Sequence, residues 1–395
     1  MATFTRFTGA FAILAVSAAL LPGSAAAAAQ TEPVPAVKVK AETDQLIVKV
    51  KAGQDINAIA AKHGAKFKKA LSNSGYKTLK VPAGKAQEVL TRLLADPHVE
   101  AAELDEILYA DVTTPNDPAY PSQYHLPKIQ ANYAWDYCRG SSSTRIAILD
   151  TGIDLLHPDL AAKIVPGYDF VNSDSIADDD HGHGTHVAGT ATALTNNSSH
   201  GAGVDWNARL MPVKVLDSTG AGYTSDIISG VYYAADNGAS IINMSLGGSS
   251  YSAAFQDVVN YAWNRGVVIV AAAGNNGNTT VTYPAAYTNV LSVAATTSTD
   301  AKASFSSYGT WVDIAAPGQN IYSTAKGGGM ITMSGSSMAA PIVAGVAGLV
   351  KGRPGYSTAS PSMIVYKITS TADAISGTGS YWVYGRVNAY KACTQ

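Results

Sequence analysis

"RIAILDTGID", residues 145–154, decides the fold. Its first six residues are short, apolar and β-branched after the leading Arg145, which suits a strand buried on both faces. "ARLMPVKVL" (208–216), "SIINMSL" (240–246), "VVIVAAAG" (267–274) and "VLSVAAT" (290–296) have the same character. Between them lie "HVAGTATAL" (186–194), "TSDIISGVYYAADNG" (224–238) and "SAAFQDVVNYAWNRG" (252–266). These space their apolar residues near three to four, and the latter two end in a glycine stop. Strand–helix alternation at this spacing predicts an α/β fold with a mainly parallel central sheet covered by helices. Reactive groups in such folds sit where strands end and loops begin.

The chain has 395 residues with nearly balanced charge, and no Lys/Arg stripe with interleaved aromatics, so nucleic acid is not an expected partner. "MATFTRF" followed by the apolar "TGAFAILAVSAALL" and the small-residue "PGSAAAAAQ" reads as an export signal over residues 1–29. Pro22 and Gly23 stop the apolar run short of the ~20 residues that a membrane span needs. The expectation is a secreted, extracellular protein with no membrane attachment after signal removal. The two cysteines, Cys138 and Cys393, form one disulfide or remain two buried thiols; spacing alone leaves both open.

Composition breaks near residue 111. Residues 38–110 are rich in Lys and Glu, with alternating ("QLIVKVKAG") and helical ("AQEVLTRLLAD") stretches. From Asp111 onward there is no glutamate, and that part is net acidic by about five. Pro and Asn-Asp turn formers in "ADVTTPNDPAYPSQY" (110–124) mark a linker. The reading is a signal peptide (1–29), a small α+β pro-segment (30–111) and a large domain (112–395).

At the strand ends, Asp150 is placed to orient a histidine, although the same residue type caps helices. Asn275, in "AAAGNNG", offers an amide donor for a developing oxyanion, although Asn-Asn-Gly is also good turn chemistry. "GSSMAAP" (335–341) puts serines at the start of a long small-residue helix, near the positive end of its dipole. "DDDHGHGTHVAGT" (178–190) holds three histidines in six positions. His181, His183 and His186 have the spacing of a zinc hydrolase site, but Thr185 stands where such a site has aspartate. H-E-x-x-H is absent, and a Glu base is unavailable after residue 110. A three-histidine zinc site stays open on residue types.

"AILDTGID", "HGTHVAGT" and "GSSMAAP", in the order Asp, His, Ser with "AAAGNNG" between the last two, resemble the subtilisin-like serine peptidases. "TPNDP", "NYAWN", "SSYGTWVDIAAPG" and "GRVNAYKA" are similar to the thermitase branch. The resemblance covers about Pro115 to the C-terminus, and residues 38–110 more weakly resemble the inhibitory pro-segment of these enzymes. It implies a three-layer subtilisin-like fold and a serine endopeptidase that acts through an acyl-enzyme on Ser337. His183 would be the base, Asp150 its orienting partner, and Asn275 with the Ser337 N–H the oxyanion donors. Gly220, Ala221 and Gly222, with Ser245, Leu246 and Gly247, match the strand-like walls for an extended peptide, implying broad specificity. Tyr283-Pro284 matches a family cis-proline.

The resemblance also implies structural Ca²⁺. Asp169, Asn172, Asp174 and Asp178 form one oxygen-rich set, and Asp117, Asp159 and Asn197 with the carbonyls of Leu194 and Ser199 form another. His200 stands where the family usually has glycine, which would strain the second loop. The enzyme is expected to be a monomer, to be inhibited by its own pro-segment and to mature by its own cleavage near residues 109–113. Two other classes compete: a non-catalytic binder on the same fold, and the zinc hydrolase.

Overall fold

The structure, a computed structural model, describes residues 44–105 and 112–395; the expected signal peptide, the start of the pro-segment and its expected boundary at residue 111 lie outside the described residues. The chain divides near Ala110 into two compact units, matching the composition break.

The first unit runs β1 (Gln45–Val50), α1 (Ile56–Lys62), β2 (Lys66–Ala70), β3 (Lys77–Lys80), α2 (Ala86–Leu94) and β4 (Val99–Leu104). Its four strands pair antiparallel in the order β2-β3-β1-β4. Alternate residues of β1, Leu46 and Val48, are fully buried against Leu79 and the helix residues Ile59, Val89 and Leu93. The period-two and helical patterns of "QLIVKV" and "AQEVLTRLL" therefore serve one small core.

In the second unit two short helices, α3 (His125–Lys128) and α4 (Ala131–Ala134), precede the sheet strands β5 (Arg145–Asp150) and β6 (Tyr168–Asp169). Then come α5 (His183–Thr192), β7 (Arg209–Lys214), α6 (Thr224–Asp236), β8 (Ile241–Met244), α7 (Ala253–Asn264), β9 (Val268–Ala272), β10 (Val290–Thr296) and β11 (Ile314–Pro317). The hairpin β12 (Ile321–Ala325) and β13 (Gly329–Met333) is followed by α8 (Ser336–Lys351), α9 (Pro361–Ser370) and α10 (Ala389–Thr394). Seven strands form a parallel sheet in the order β11-β10-β9-β8-β5-β7-β6.

The sheet is buried on both faces, as "RIAILD" predicts. Ile146 and Ile148 of β5 pack with α5, α8, α9 and α10, while Ala147 and Leu149 pack with α6 and α7. This makes the three-layer arrangement. Pro317 ends an edge strand, where its missing N–H breaks no ladder. The run "GSSMAAPIVAGVAGLV" becomes α8, buried along nearly its whole length because its small residues let the neighbouring layers approach. Cys138 and Cys393 are joined as a disulfide, with Cα atoms 6.2 Å apart, and the Tyr283–Pro284 bond is cis. Among the described residues no helix is long and apolar enough to cross a membrane.

Candidate active site

β5 delivers Asp150 to the sheet's C-terminal edge, fully buried. After a loop, α5 starts on His183, whose Nδ1 lies 2.7 Å from Asp150 Oδ1. Because a carboxylate can only accept here, Nδ1 carries the proton and Nε2 is left as the basic nitrogen. Two glycines permit the approach. A Cβ on Gly184 would sit 2.1 Å from the Gly152 carbonyl oxygen and 3.1 Å from Asp150 Cβ. Gly152 itself has φ +104°, which costs a side-chain-bearing residue strain. Burial pulls the His183 imidazole down, but the charge and hydrogen bond of Asp150, then the charge of Asp179, outweigh it. The ring is held above its ordinary pKa.

Ser336 and Ser337 form the first turn of α8, beside the end of β9. Asn275 Oδ1 accepts from Ser336 N (2.8 Å) and Ser336 Oγ (3.0 Å). Only an oxygen can receive that N–H, so the amide orientation is determined and Nδ2 is the free end. Ser336, the serine next to the proposed nucleophile, thus fixes the Asn275 amide, the proposed oxyanion donor; the sequence reading assigned it no role. Ser337 Oγ donates to the Ser245 carbonyl at 3.2 Å in this rotamer. Ser337 and Asn275 both line a cavity of about 360 Å³, along with Leu246, Gly247, Thr280 and Thr282. No charged side chain lines that cavity.

Ser245 is nearly buried, its Oγ donating to the Ser337 carbonyl at 2.8 Å. Its hydroxyl therefore braces the backbone of Ser337, the proposed nucleophile. Gly220, Ala221 and Gly222 form an exposed irregular loop rather than a strand, closed by Asp217, which accepts from Ala221 N at 3.1 Å. A Cβ on Gly222 would meet the Val215 carbonyl at 2.1 Å, so this wall is packed against the end of β7.

The histidine cluster divides. His186 is fully buried, with Nε2 donating to the Ile321 carbonyl at 3.0 Å, and burial pushes it down to about 4. His183 Nδ1 is committed to Asp150. Among the described residues no group of three His, Cys, Asp or Glu side chains is gathered for a metal. A three-histidine zinc site does not fit this geometry.

Of the proposed calcium ligands, Asp117 and Asp159 are both buried around the loop 194–201. Asn197 N donates to Asp117 Oδ1 (3.1 Å) and Asn197 Nδ2 to Asp159 Oδ1 (2.8 Å). Leu194 N donates to the Asp159 carbonyl (2.8 Å) and Ser199 N to Asn197 Oδ1 (2.9 Å), so all five residues meet in one place. Among the described residues neither carboxylate has a Lys or Arg ion-pair partner, and burial, then the nearby Asp117 charge, helps hold Asp159 above its usual range. Two buried carboxylates without an ion-pair partner, beside a side-chain carbonyl, fit a hard cation. His200 has φ +45° as the sequence anticipates, and its ring is fastened to Ser199 Oγ (2.7 Å) and the Gly328 carbonyl (2.9 Å). In the other loop Asp169 accepts from Asn172 Nδ2 at 2.8 Å and pairs with Asp174 through the backbone. Asp178 instead accepts from Leu155 N at 3.0 Å, so that set is more dispersed.

A subtilase family model matches residues 141–386, and a fervidolysin N-terminal prodomain model matches residues 27–105. The chain belongs to the subtilase family. It is 53% identical to thermitase of Thermoactinomyces vulgaris over 71% of this chain and 99% of that one. It is 46% identical to the thermophilic serine proteinase of Bacillus sp. (strain AK1), over 88% of this chain and 84% of that one. A solved protease structure from Pseudoalteromonas arctica PAMC 21717 superposes with a TM-score of 0.66 at 35% identity, covering 71% of this chain and 99% of that one. Within the family the chain is a thermitase-branch serine endopeptidase with an N-terminal pro-segment. The non-catalytic reading is set aside.

Proposed function

We propose that peptide bonds are cleaved through an acyl-enzyme on Ser337. Ser337 Oγ turns from the Ser245 carbonyl to His183 Nε2, gives up its proton there and attacks the scissile carbonyl carbon. The oxyanion is received by Asn275 Nδ2 and the Ser337 N–H at the start of α8, and His183 returns the proton to the leaving amine. Water then repeats the sequence on the ester. Buried Asp150 keeps the tautomer and stabilises the imidazolium. The observations that carry this reading are the Asp150–His183 bond of 2.7 Å and the cavity that Ser337 and Asn275 share.

An extended peptide would lie against residues 220–222 and 245–247. The uncharged cavity supports broad specificity for apolar side chains. Secretion as a monomeric, pro-segment-inhibited precursor, and self-cleavage near residues 109–113, complete the reading; residues 106–111 lie outside the described residues. Structural Ca²⁺ would be held by Asp117, Asp159 and Asn197 with the carbonyls of Leu194 and Ser199, and a second ion by the loop of Asp169, Asn172, Asp174 and Asp178. Such ions would neutralise these carboxylates and take no part in the chemistry.

The test is intact mass before and after a serine-directed covalent inhibitor, with Ser337→Ala alongside. One adduct per chain with loss of activity, and an uncleaved Ser337→Ala precursor, are expected. Full activity after labelling, or normal maturation of Ser337→Ala, refutes the assignment.

A further inference from the structure

We infer that Asp179 is a positioning residue for the catalytic pair, holding the helix that bears His183 against the strand end that bears Asp150. This rests on the triad reading above. Asp179 is 1% exposed and lies just upstream of α5. Its carboxylate accepts five hydrogen bonds from two segments. Oδ1 accepts from Thr151 Oγ1 (2.8 Å), His181 N (3.0 Å) and Gly182 N (2.8 Å). Oδ2 accepts from Thr185 N (2.9 Å) and Thr185 Oγ1 (2.6 Å).

The two segments are the ones that catalysis needs in register. Thr151 directly follows Asp150, and His181, Gly182 and Thr185 flank His183. Thr151 Oγ1 also accepts from Gly184 N at 3.0 Å, so Asp179, Thr151 and the first turn of α5 close a ring around the Asp150–His183 bond. The helix-start residue Gly182 has no side chain with which to cap α5; Asp179 performs that task from outside and reaches the strand as well.

The charge matters separately. Among the described residues no cation pairs with Asp179; the nearby Lys214 instead meets Asp180 at 2.6 Å. A buried anion without an ion partner is stabilised here by N–H donors at the positive end of α5. That standing negative charge favours the imidazolium that forms on His183 during proton transfer. The titratable groups around His183 are Asp150 on β5, Asp179, the neighbouring His181 ring at 6.3 Å between centroids, and buried His186.

The test is Asp179→Asn and Thr151→Val, assayed as mature enzyme in excess calcium, with active sites counted by covalent titration. Precursors that fail to self-process are matured in trans. Asn cannot accept from both sides of the carboxylate, so the pair loosens, and kcat should fall on the order of 10²-fold with KM within about two-fold. The acid limb of kcat/KM should also move to lower pH, because a charge that raises His183 is gone. Thr151→Val cuts the ring while keeping the charge, so kcat should fall without that displacement. Unchanged kcat in Thr151→Val, or Asp179→Asn with reduced melting temperature but unmoved kcat and acid limb, overturns the inference and leaves a stabilising cap only. Failure of the triad reading itself would appear elsewhere, as labelling of Ser337→Ala.

Discussion

Gly184→Ala offers the most direct test of how closely α5 must approach the strand end. The added Cβ would stand 2.1 Å from the Gly152 carbonyl oxygen and 3.2 Å from Asp150 Oδ1. An ordinary carbon–oxygen contact needs about 3.3 Å, so the first turn of α5 or the 151–153 loop must retreat by roughly 1 Å. Neither yields easily, since the obstacle is backbone and Gly152 already occupies φ +104°. A displacement of that size at the base costs on the order of 10²-fold in kcat, about 2.7 kcal/mol of transition-state stabilisation. Overpacking adds about 1–3 kcal/mol of destabilisation, or roughly 2–6 °C in Tm for a domain of this size. The assay is hydrolysis of a chromogenic peptide amide, normalised to titrated active sites, beside a thermal scan of the inhibited enzyme. KM should stay within about two-fold, because in the proposed mechanism His183 moves protons rather than holding substrate. Gly329→Ala, where nothing lies within 4 Å of the added Cβ, is the control and should retain activity within about two-fold. A Gly184→Ala enzyme with wild-type kcat and Tm, or one whose loss lies in KM, would refute the geometric reasoning.

Three further outcomes are expected. His183 is held above its ordinary pKa and, as the proposed base, would act only when neutral, so kcat/KM should rise with pH through a midpoint above about 6.5; a midpoint below that value contradicts the field described. Replacing both Cys138 and Cys393 with Ala releases a closure spanning 255 residues. In the chain-entropy model that costs up to about 5.5 kcal/mol, a fall of roughly 10 °C in Tm, and an unchanged Tm would show that the bond contributes nothing. Chelation of calcium should lower the Tm of the inhibited enzyme, and Asp159→Asn should diminish that chelator effect; insensitivity to the chelator would count against both proposed loops.

Much of the fold was legible because strands buried on both faces announce themselves as β-branched runs. "VLSVAAT" is β10 from first residue to last, and the glycine stops of α6 and α7 fall just beyond their ends. β11 and the β12–β13 hairpin were not read. "IAAP" is short and ends in proline, and the hairpin's "KGGG" turn resembles a plain loop. Within the proposed site, Asp150, His183, Asn275 and Ser337 could be nominated from motif order. Asp179 and Ser336 could not, because a carboxylate in an acidic run and a serine beside a serine carry no local mark of their partners. A signal for Asp179 existed in retrospect: a carboxylate within a helical turn of a helix whose first residues are Gly and His.

By itself the sequence determined which segments become buried strands, which residue types stand at their ends, and that the chain carries two units of different composition. Those properties are local, set by side-chain volume, branching and charge along a few residues. Tertiary structure decided the rest: which of three histidines faces a carboxylate 33 residues away, which way the Asn275 amide points, and where Asp179 spends its five hydrogen bonds. Those choices depend on partners brought together across the sheet edge. Hydrogen-bond direction and close backbone contact exist only once the strand ends and helix starts have packed.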